Sequence, residues 1–515
     1  MAGQESRVNI PLDRDRPVPL ARQIQGHLER LIADGLLAPG VKLPATRELA
    51  QSLRVNRATV ALAYEELVAA GLARAHVGQG TFVAGEQSVR ATGRAATPSP
   101  APIDWMALLS RGARTAAADE DRRRAFGTPP GAGAALISFA GGMPDSALFP
   151  TDAFRRVLNQ VVREEGDALL QYSAVGGYLP LRRYLAGYLL RYGVEARAEE
   201  ILVVNGSQQG FDLIARTLVD PGDVVAIEQP TYTGAMQAFR SFGARLLPVD
   251  WDATGPRPDV FERLCERQAP KLFYCQPNAH NPSGLALEPE VGRRLLATAA
   301  RHQVPIVEDG FDGSLYYGAR PGTPLKAADR AGVVIYIGTF SKILFPGLRL
   351  GWLVAPPAIV ERLQDAKQLS DLHSSALLQA AVHRFCEGRL LDRHISRVAT
   401  EYGRRRSLLL ASLRRRMPDD VSWTEPQGGF SLLLTLPAGL EATVLLPLAI
   451  ERGVAFSPGP AFFLDGAGER TLRLAFSSVS GGRIDEGVKR LAEAIKAVRR
   501  QPRPRRTDHE LVPVV

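Results

Sequence analysis

Hydrophobic positions change their spacing along the chain, and the changes divide it into regions. Near the N-terminus Leu20, Ile24, Leu28 and Leu31 recur at helical spacing, predicting a first helix that closes near Asp34-Gly35. Leu49, Ala50 and Leu53 predict a second short helix after Pro44, with Thr46 as its N-cap. A third begins at Asn56, another N-cap residue, and turns Val60, Tyr64 and Leu67 inward before Gly71 ends it. Leu72 to Val83 then reads as two short strands around a Gly-rich tip. Two short helices joined by a tight turn and followed by such a hairpin predict a mainly α winged helix-turn-helix over residues 1–84.

Residues 85–135 lose the pattern, with Ala, Pro, Gly, Ser and Arg dominating and only Ile103 to Leu109 able to order, so they read as a flexible linker. From residue 136 to about 498 short apolar runs alternate with helical periods, the pattern of a doubly wound α/β unit. Residues 499–515 are basic and proline-interrupted and read as a disordered tail.

The apolar runs of the α/β region end in residues with chemistry. Ile201 to Val204 leads to Asn205-Gly206-Ser207-Gln208, where helix amides and a hydroxyl suit a phosphate. Val224 to Ile227 leads to Tyr232, whose ring is placed to stack on a planar group. Lys271 to Tyr274 leads to Asn281, and Val304 to Val307 leads to the carboxylate of Asp309. Val333 to Ile337 leads to Thr339, Ser341 and Lys342, with Arg349 close behind. In open α/β sheets ligands bind at the carboxyl ends of the strands, where a lysine withdrawn from water can attack a carbonyl carbon. A lone lysine after a strand is ordinarily a solvated surface residue. Here an amine, a hydroxyl and guanidinium cluster and a carboxylate that can pair a pyridine nitrogen follow separate strands, and together they point to pyridoxal 5'-phosphate. Arg473, alternating with Leu472 and Leu474, offers a planar fork to a carboxylate.

Composition narrows the class without changing this picture. With 515 residues, 45% hydrophobic and 23% charged, the chain is an ordinary globular protein of at least two domains. It has no apolar run of membrane-spanning length and no signal-peptide pattern, so a cytoplasmic location is expected. Three scattered cysteines show no metal-ligand spacing, and no metal is expected. The net charge of +9 permits a polyanionic partner without requiring one.

Two resemblances sharpen the reading. Pro19-Leu20, Leu36 to Gly40, Leu43 to Ala50, Val55 to Val60 and Gly78 to Val83 resemble the winged helix of the GntR family of bacterial regulators. That likeness implies DNA contacts at Arg47, Asn56, Arg57, Thr59 and Gly78. Phe139 to Asp145, Tyr172 with Gly176-Gly177-Tyr178, Asn281 to Gly284, Ser341-Lys342 and Leu472 to Leu474 resemble fold-type I, class I/II aminotransferases with large and small subdomains. By that resemblance Lys342 would form the internal aldimine, Asn281 would bond the ring oxygen and Asp309 would pair the ring nitrogen. Ser207, Gln208, Ser341 and Arg349 would surround the phosphate, Tyr172 would reach the phosphate site of a partner subunit in a head-to-tail homodimer, and Arg473 would take a substrate carboxylate. Relatives carry a tyrosine two or three residues after the aspartate, where this chain has Phe311 and Asp312, which puts catalytic competence in question.

The combination resembles the MocR subfamily of GntR-type regulators, implying a transcriptional regulator that binds a double-stranded DNA operator and senses an amino-acid-like effector. Two alternatives stay open: a working aminotransferase carrying a DNA-binding head, and a direct sensor of pyridoxal phosphate controlling vitamin B6 synthesis.

Overall fold

The computed structural model describes residues 10, 12–13, 18–33, 36–76, 80–84, 103–125, 135–310, 314–318 and 322–500, the side chains of 122–125 and 500 excepted. The chain forms two compact units, residues 1–103 and 104–515.

In the smaller unit, helices Leu20–Ala33, Thr46–Leu53 and Arg57–Ala69 precede the strands Ala73–His76 and Gly80–Val83, which pair antiparallel. Of the positions read as core, Ile24, Leu28, Leu49, Ala50, Val60, Tyr64 and Leu67 are buried, Leu31 and Leu53 pack half-buried against them, and Leu20 is half-buried outside the cluster. Thr46 does not cap its helix: Ala45 takes that place without a side-chain bond, and Thr46 is the first helical residue. Asn56 does cap the third helix, its Oδ1 accepting from the Ala58 amide at 3.0 Å.

The larger unit is built on a seven-stranded sheet ordered Ile201–Val204, Gly351–Val354, Val334–Thr339, Ile306–Asp309, Leu272–Cys275, Val224–Gln229 and Arg245–Asp250. Gly351–Val354 runs antiparallel to both neighbours, and the remaining pairings are parallel. Ile201–Val204 is therefore parallel to Val334–Thr339 across the strand between them. The carboxyl ends of the strands that carry the predicted site residues accordingly share one sheet edge. Near-continuous burial along these strands reflects helices on both faces. Phe211, Ile214 and Phe239 pack on one face, Phe261 and Leu295 on the other.

A four-stranded sheet ordered Ser422–Trp423, Ser431–Thr435, Thr471–Ala475 and Ser457–Pro458 forms a smaller lobe with the long helices Leu390–Arg416 and Gly481–Arg500. Ile137–Ser138 joins it by pairing with Val454–Ala455.

Two expectations about irregular chain change. Within the predicted linker, Arg111–Ala125 is a helix that packs against the helix Thr233–Ser241. Its many alanines supply helix propensity, which the reading of that stretch as mere loop composition overlooked. At the C-terminus the last helix runs to Arg500, and Arg499 pairs with Asp420, so the basic tail begins later than expected. The rest of that tail lies outside the described residues.

Candidate cofactor and effector site

The strand Ile201–Val204 stops at Asn205-Gly206, and Gly206 at φ +86° turns the chain into the helix Ser207–Leu218. A Cβ at Gly206 would stand 2.7 Å from Arg349 Nη2, so only glycine leaves room for the guanidinium to cross here. Arg349 Nη2 donates to the Asn205 carbonyl at 3.0 Å. Thr339 ends its strand and caps the turn Phe340–Ile343, accepting from the Ser341 amide at 3.1 Å. Its hydroxyl lies 3.0 Å from Ser341 Oγ. Val204 and Thr339 both sit opposite Gly351 in the sheet register, which brings the Ser207 and Ser341 turns to either side of one glycine. A helix N-terminus, hydroxyls and a guanidinium around a glycine floor form an anion cradle.

Along the same edge, Tyr232 stands at the N-cap of the helix Thr233–Ser241. Gln208 Nε2 donates to the Gly234 carbonyl at 3.0 Å, tying the cradle to the tyrosine. Gly234 permits the approach, since a Cβ there would lie 2.6 Å from Gln208 Oε1.

Asp309 is the last residue of its strand and is buried. Tyr274 Oη and Gln276 Nε2 donate to its Oδ2 at 2.9 and 2.8 Å. Burial drives the Tyr274 phenol well above its ordinary pKa and so keeps it a donor. Gln276 also accepts from the Asn281 amide at 3.0 Å, so one side chain fixes both Asp309 and the Asn281 loop. Below it, buried Glu228 accepts from the Gln276 amide at 2.9 Å and from Trp251 Nε1 at 2.8 Å. Burial raises Glu228 well above the carboxylate range and lowers His280, stacked 4.1 Å from Trp251, to about 3.

Arg473 projects from the smaller lobe's strand and meets the Asn281 loop, its Nη1 donating to Asn281 Oδ1 at 3.1 Å. Nη2 donates to the carbonyls of Ala140 and Gly141 at 2.8 and 2.5 Å, and to Ser457 Oγ at 3.2 Å. The guanidinium carbon lies 4.9 Å from the centre of the Phe462 ring. Burial lowers the Arg473 pKa to about 10, and its Nε is buried with no hydrogen-bond partner among the described residues. Lys342 is next to this group: its Nζ donates to the Gly142 carbonyl at 3.0 Å and stands 6.0 Å from the Phe430 ring.

The structure thus brings Ser207, Gln208, Tyr232, Asn281, Asp309, Ser341, Lys342 and Arg349 to one edge, with Arg473 reaching in from the smaller lobe. It leaves Tyr172 out. That residue is 78% exposed and packs edge-on against His373. Phe311 and Asp312 lie outside the described residues. Sequence reasoning missed Tyr274, Gln276, Ser457, Phe462 and the carbonyls of residues 140–142. Gln276 had a signal, a polar residue immediately after a buried strand, whereas the carbonyls have no side-chain signature.

In the smaller unit, described by itself, Arg47, Asn56 and Arg57 are exposed at the helix-turn-helix and Thr59 is half-buried. Arg57 Nε donates to Thr46 Oγ1 at 3.4 Å, which steadies one helix against the other. Gly78 lies outside the described residues.

An anion cradle, an aromatic plate, a buried carboxylate and an amine on one edge fit a planar pyridine phosphate. Lys342 would hold it, the Gly206 floor and Arg349 would take its phosphate, and Asp309 would face its nitrogen. When bound, such a group supplies an electron sink for an amine-bearing carbon. The fold and site define a pyridoxal-phosphate-dependent α/β unit joined to a winged helix.

Residues 137–491 match the family described as aminotransferase class I and II, and residues 20–83 match the bacterial regulatory proteins of the gntR family. The chain belongs to the MocR-type regulators, in which these two domains are combined. It is 34% identical to the probable rhizopine catabolism regulatory protein MocR of Rhizobium meliloti, covering 95% of this chain and 96% of that protein. It is 38% identical to aromatic-amino-acid aminotransferase 1 of Thermococcus litoralis over 70% of this chain and 88% of the relative. Among solved structures it resembles LysN, the alpha-aminoadipate aminotransferase of Thermus thermophilus complexed with N-(5'-phosphopyridoxyl)-L-leucine. That match has a TM-score of 0.71 and 36% identity, over 77% of this chain and 99% of that one. The protein is thus a pyridoxal-phosphate-dependent DNA-binding regulator with an aminotransferase-like unit.

Proposed function

We propose that the larger unit senses a small molecule carrying both an amine and a carboxylate or sulfonate, and that its binding alters the grip of the winged helix on operator DNA. The observation that carries the reading is Arg473, a withdrawn cation whose acceptors are all neutral and whose Nε has none. Such a cation gains a charge-assisted, bidentate pair when an anionic ligand arrives. Lys342 on the adjoining carbonyl gives the ligand's amine its counterpart. A switch further requires that the ligand favour one arrangement of the protein over another.

Binding by Ser207, Gln208, Tyr232, Asn281, Asp309, Ser341 and Arg349 and attachment at Lys342 are part of this proposal. So are DNA contacts by Arg47, Asn56, Arg57, Thr59 and Gly78, and action in the cytoplasm. Among the described residues no helix is long and apolar enough to cross a membrane. Exposed Leu170, Tyr172, Leu369 and Leu372, linked by the contact of Tyr172 with His373, support a homodimer in which Tyr172 completes the second copy's phosphate site.

The test is the visible absorption of the protein loaded with pyridoxal phosphate, compared with Lys342→Ala, during titration with amino acids and taurine. Loss of the band in the variant and a shift with one ligand are expected, accompanied by altered DNA affinity. No band in the natural protein would sink the site assignment. The second reading, a working aminotransferase, draws support from the identity to aromatic-amino-acid aminotransferase 1. Repeated turnover of an amino acid with a keto acid would establish it. DNA affinity that responds to pyridoxal phosphate alone would instead favour the direct cofactor sensor.

A further inference from the structure

The helix Arg111–Ala125 lies in the segment that leads from the winged helix into the larger unit, and it docks on the helix that starts at Tyr232. Two contacts define the dock. Gly112 lies under the end of the Tyr232 helix, where a Cβ would come within 2.6 Å of the Ser241 carbonyl. Asp119, almost fully buried, pairs through Oδ1 with Arg240 Nη1 at 3.4 Å.

Arg240 is shared. Its Nη2 donates to the Leu464 carbonyl at 3.2 Å, and the Leu464 amide donates to Gln229 Oε1 at 2.9 Å. Two residues earlier, Phe462 lies against the Arg473 guanidinium, while its carbonyl accepts from the Thr231 amide at 2.8 Å. Arg240 therefore touches the linker helix on one side and the strap carrying the Arg473 ring partner on the other, and its own helix begins at the cofactor-stacking position.

The dock also carries a cost. Its ion pair is long, and Asp119 Oδ2 is buried with no hydrogen-bond partner, so release of the helix lets water reach an oxygen that docking starves. A contact that carries such a cost is open to bias from shifts at either end.

We propose that Arg240 is the positioning residue through which the cofactor and effector site reports to the DNA-binding unit, by holding or releasing the Arg111–Ala125 helix at Asp119. This rests on the reading of the larger unit as a pyridoxal-phosphate-binding sensor. Atoms at Tyr232 or Arg473 that move on ligand binding displace Arg240, and the chain N-terminal to Gly112 follows.

The experiment is hydrogen–deuterium exchange on the full chain, with and without pyridoxal phosphate, with absorption recorded on the same samples. Exchange over residues 111–125 should differ by about tenfold between the two states. Asp119→Ala, which leaves the cofactor site untouched, should keep the absorption band but show fast exchange in both states. Gly112→Leu, a wedge against the Ser241 carbonyl, should do the same. Equal exchange in the natural protein with and without bound cofactor overturns the proposal, as does a cofactor-dependent difference that survives both variants. Absence of the absorption band would overturn the sensor reading itself and this coupling with it, so the two failures are told apart by the spectrum.

Discussion

The larger unit withdraws Lys367 and Arg473 from water in different company. Lys367 is fully buried and donates to both Asp371 oxygens at 2.8 Å, to Ser374 Oγ at 3.1 Å and to Gln209 Oε1 at 3.2 Å. Asp371 in turn accepts from Asn205 Nδ2 at 2.5 Å, and the Asn205 carbonyl holds Arg349. That network is closed, and its product is a fixed cradle. Arg473, 192 residues from the Asn281 it bonds, has only neutral acceptors and an unmatched Nε. A satisfied buried charge marks scaffold, and an underpaired one at a ligand-binding edge marks a place for a ligand.

The sharpest test of this contrast is Lys367→Met. It strands Asp371 with amide donors in place of its cation, and breaking a buried pair from one side costs about 4 kcal/mol. The midpoint of urea unfolding should fall accordingly, and affinity for pyridoxal phosphate should fall with it because Asn205 and Arg349 lose their anchor. A near-neutral result would place the network outside the scaffold.

Arg473→Ala should have the opposite profile. Affinity for an amino acid should drop roughly 100-fold, near the loss of a charge-assisted bidentate pair at about 3 kcal/mol, while the cofactor absorption band stays. Arg473→Lys, which keeps the charge but loses the fork, should fall between. Calorimetry showing unchanged affinity in Arg473→Ala would remove the anionic end from the effector.

Another buried ionisable group, Glu308, is solvated by backbone. Glu308 accepts from the Leu325 and Lys326 amides at 2.9 and 2.7 Å, and burial raises it from the ordinary 4.5 to about 7. The folded state therefore binds its proton more tightly than the unfolded chain does. The resulting stability is complete below about pH 4.5 and is lost as pH rises from there through about 7, a change of roughly 3 kcal/mol. Unfolding midpoints measured from pH 5 to 8 should show this slope, and Glu308→Gln should flatten it. A slope unchanged in the variant would assign the titration elsewhere.

These residues also show how far the sequence could be read. Lys342, Asp309, Asn281 and Tyr232 were legible because each follows an apolar strand, and a parallel sheet must bring such ends to one edge. Arg473 was legible from its alternation with Leu472 and Leu474. The dependence of Asp309 on Tyr274 and Gln276 was only partly visible, because a hydrogen bond between side chains of neighbouring strands needs the register. Nothing in the linear pattern showed the carbonyls of residues 140–142, which act through backbone alone. The antiparallel strand Gly351–Val354, wedged between parallel neighbours, was equally hidden, since apolar runs carry no direction. The helix Arg111–Ala125 carried a signal in its alanines, whereas its docking partner, far along the chain, was hidden.

Asn56 carries the distinction between used and available groups into the winged helix, at a smaller scale. Its Oδ1 already caps the third helix through the Ala58 amide, so part of the side chain is committed inside the protein even though the residue is exposed. Asn56→Ala should cost about 1 kcal/mol of helix stability, read as about fivefold faster amide exchange over Arg57–Ala69 in the full chain. Asn56→Ser restores a cap and should restore that protection. DNA affinity then separates the roles. If the Ser variant binds DNA like the natural protein while the Ala variant binds weakly, the residue acts by holding Arg57 and Thr59 at the helix start. If both variants lose affinity equally, the Asn56 amide itself reaches the DNA, and the capping account of its importance fails.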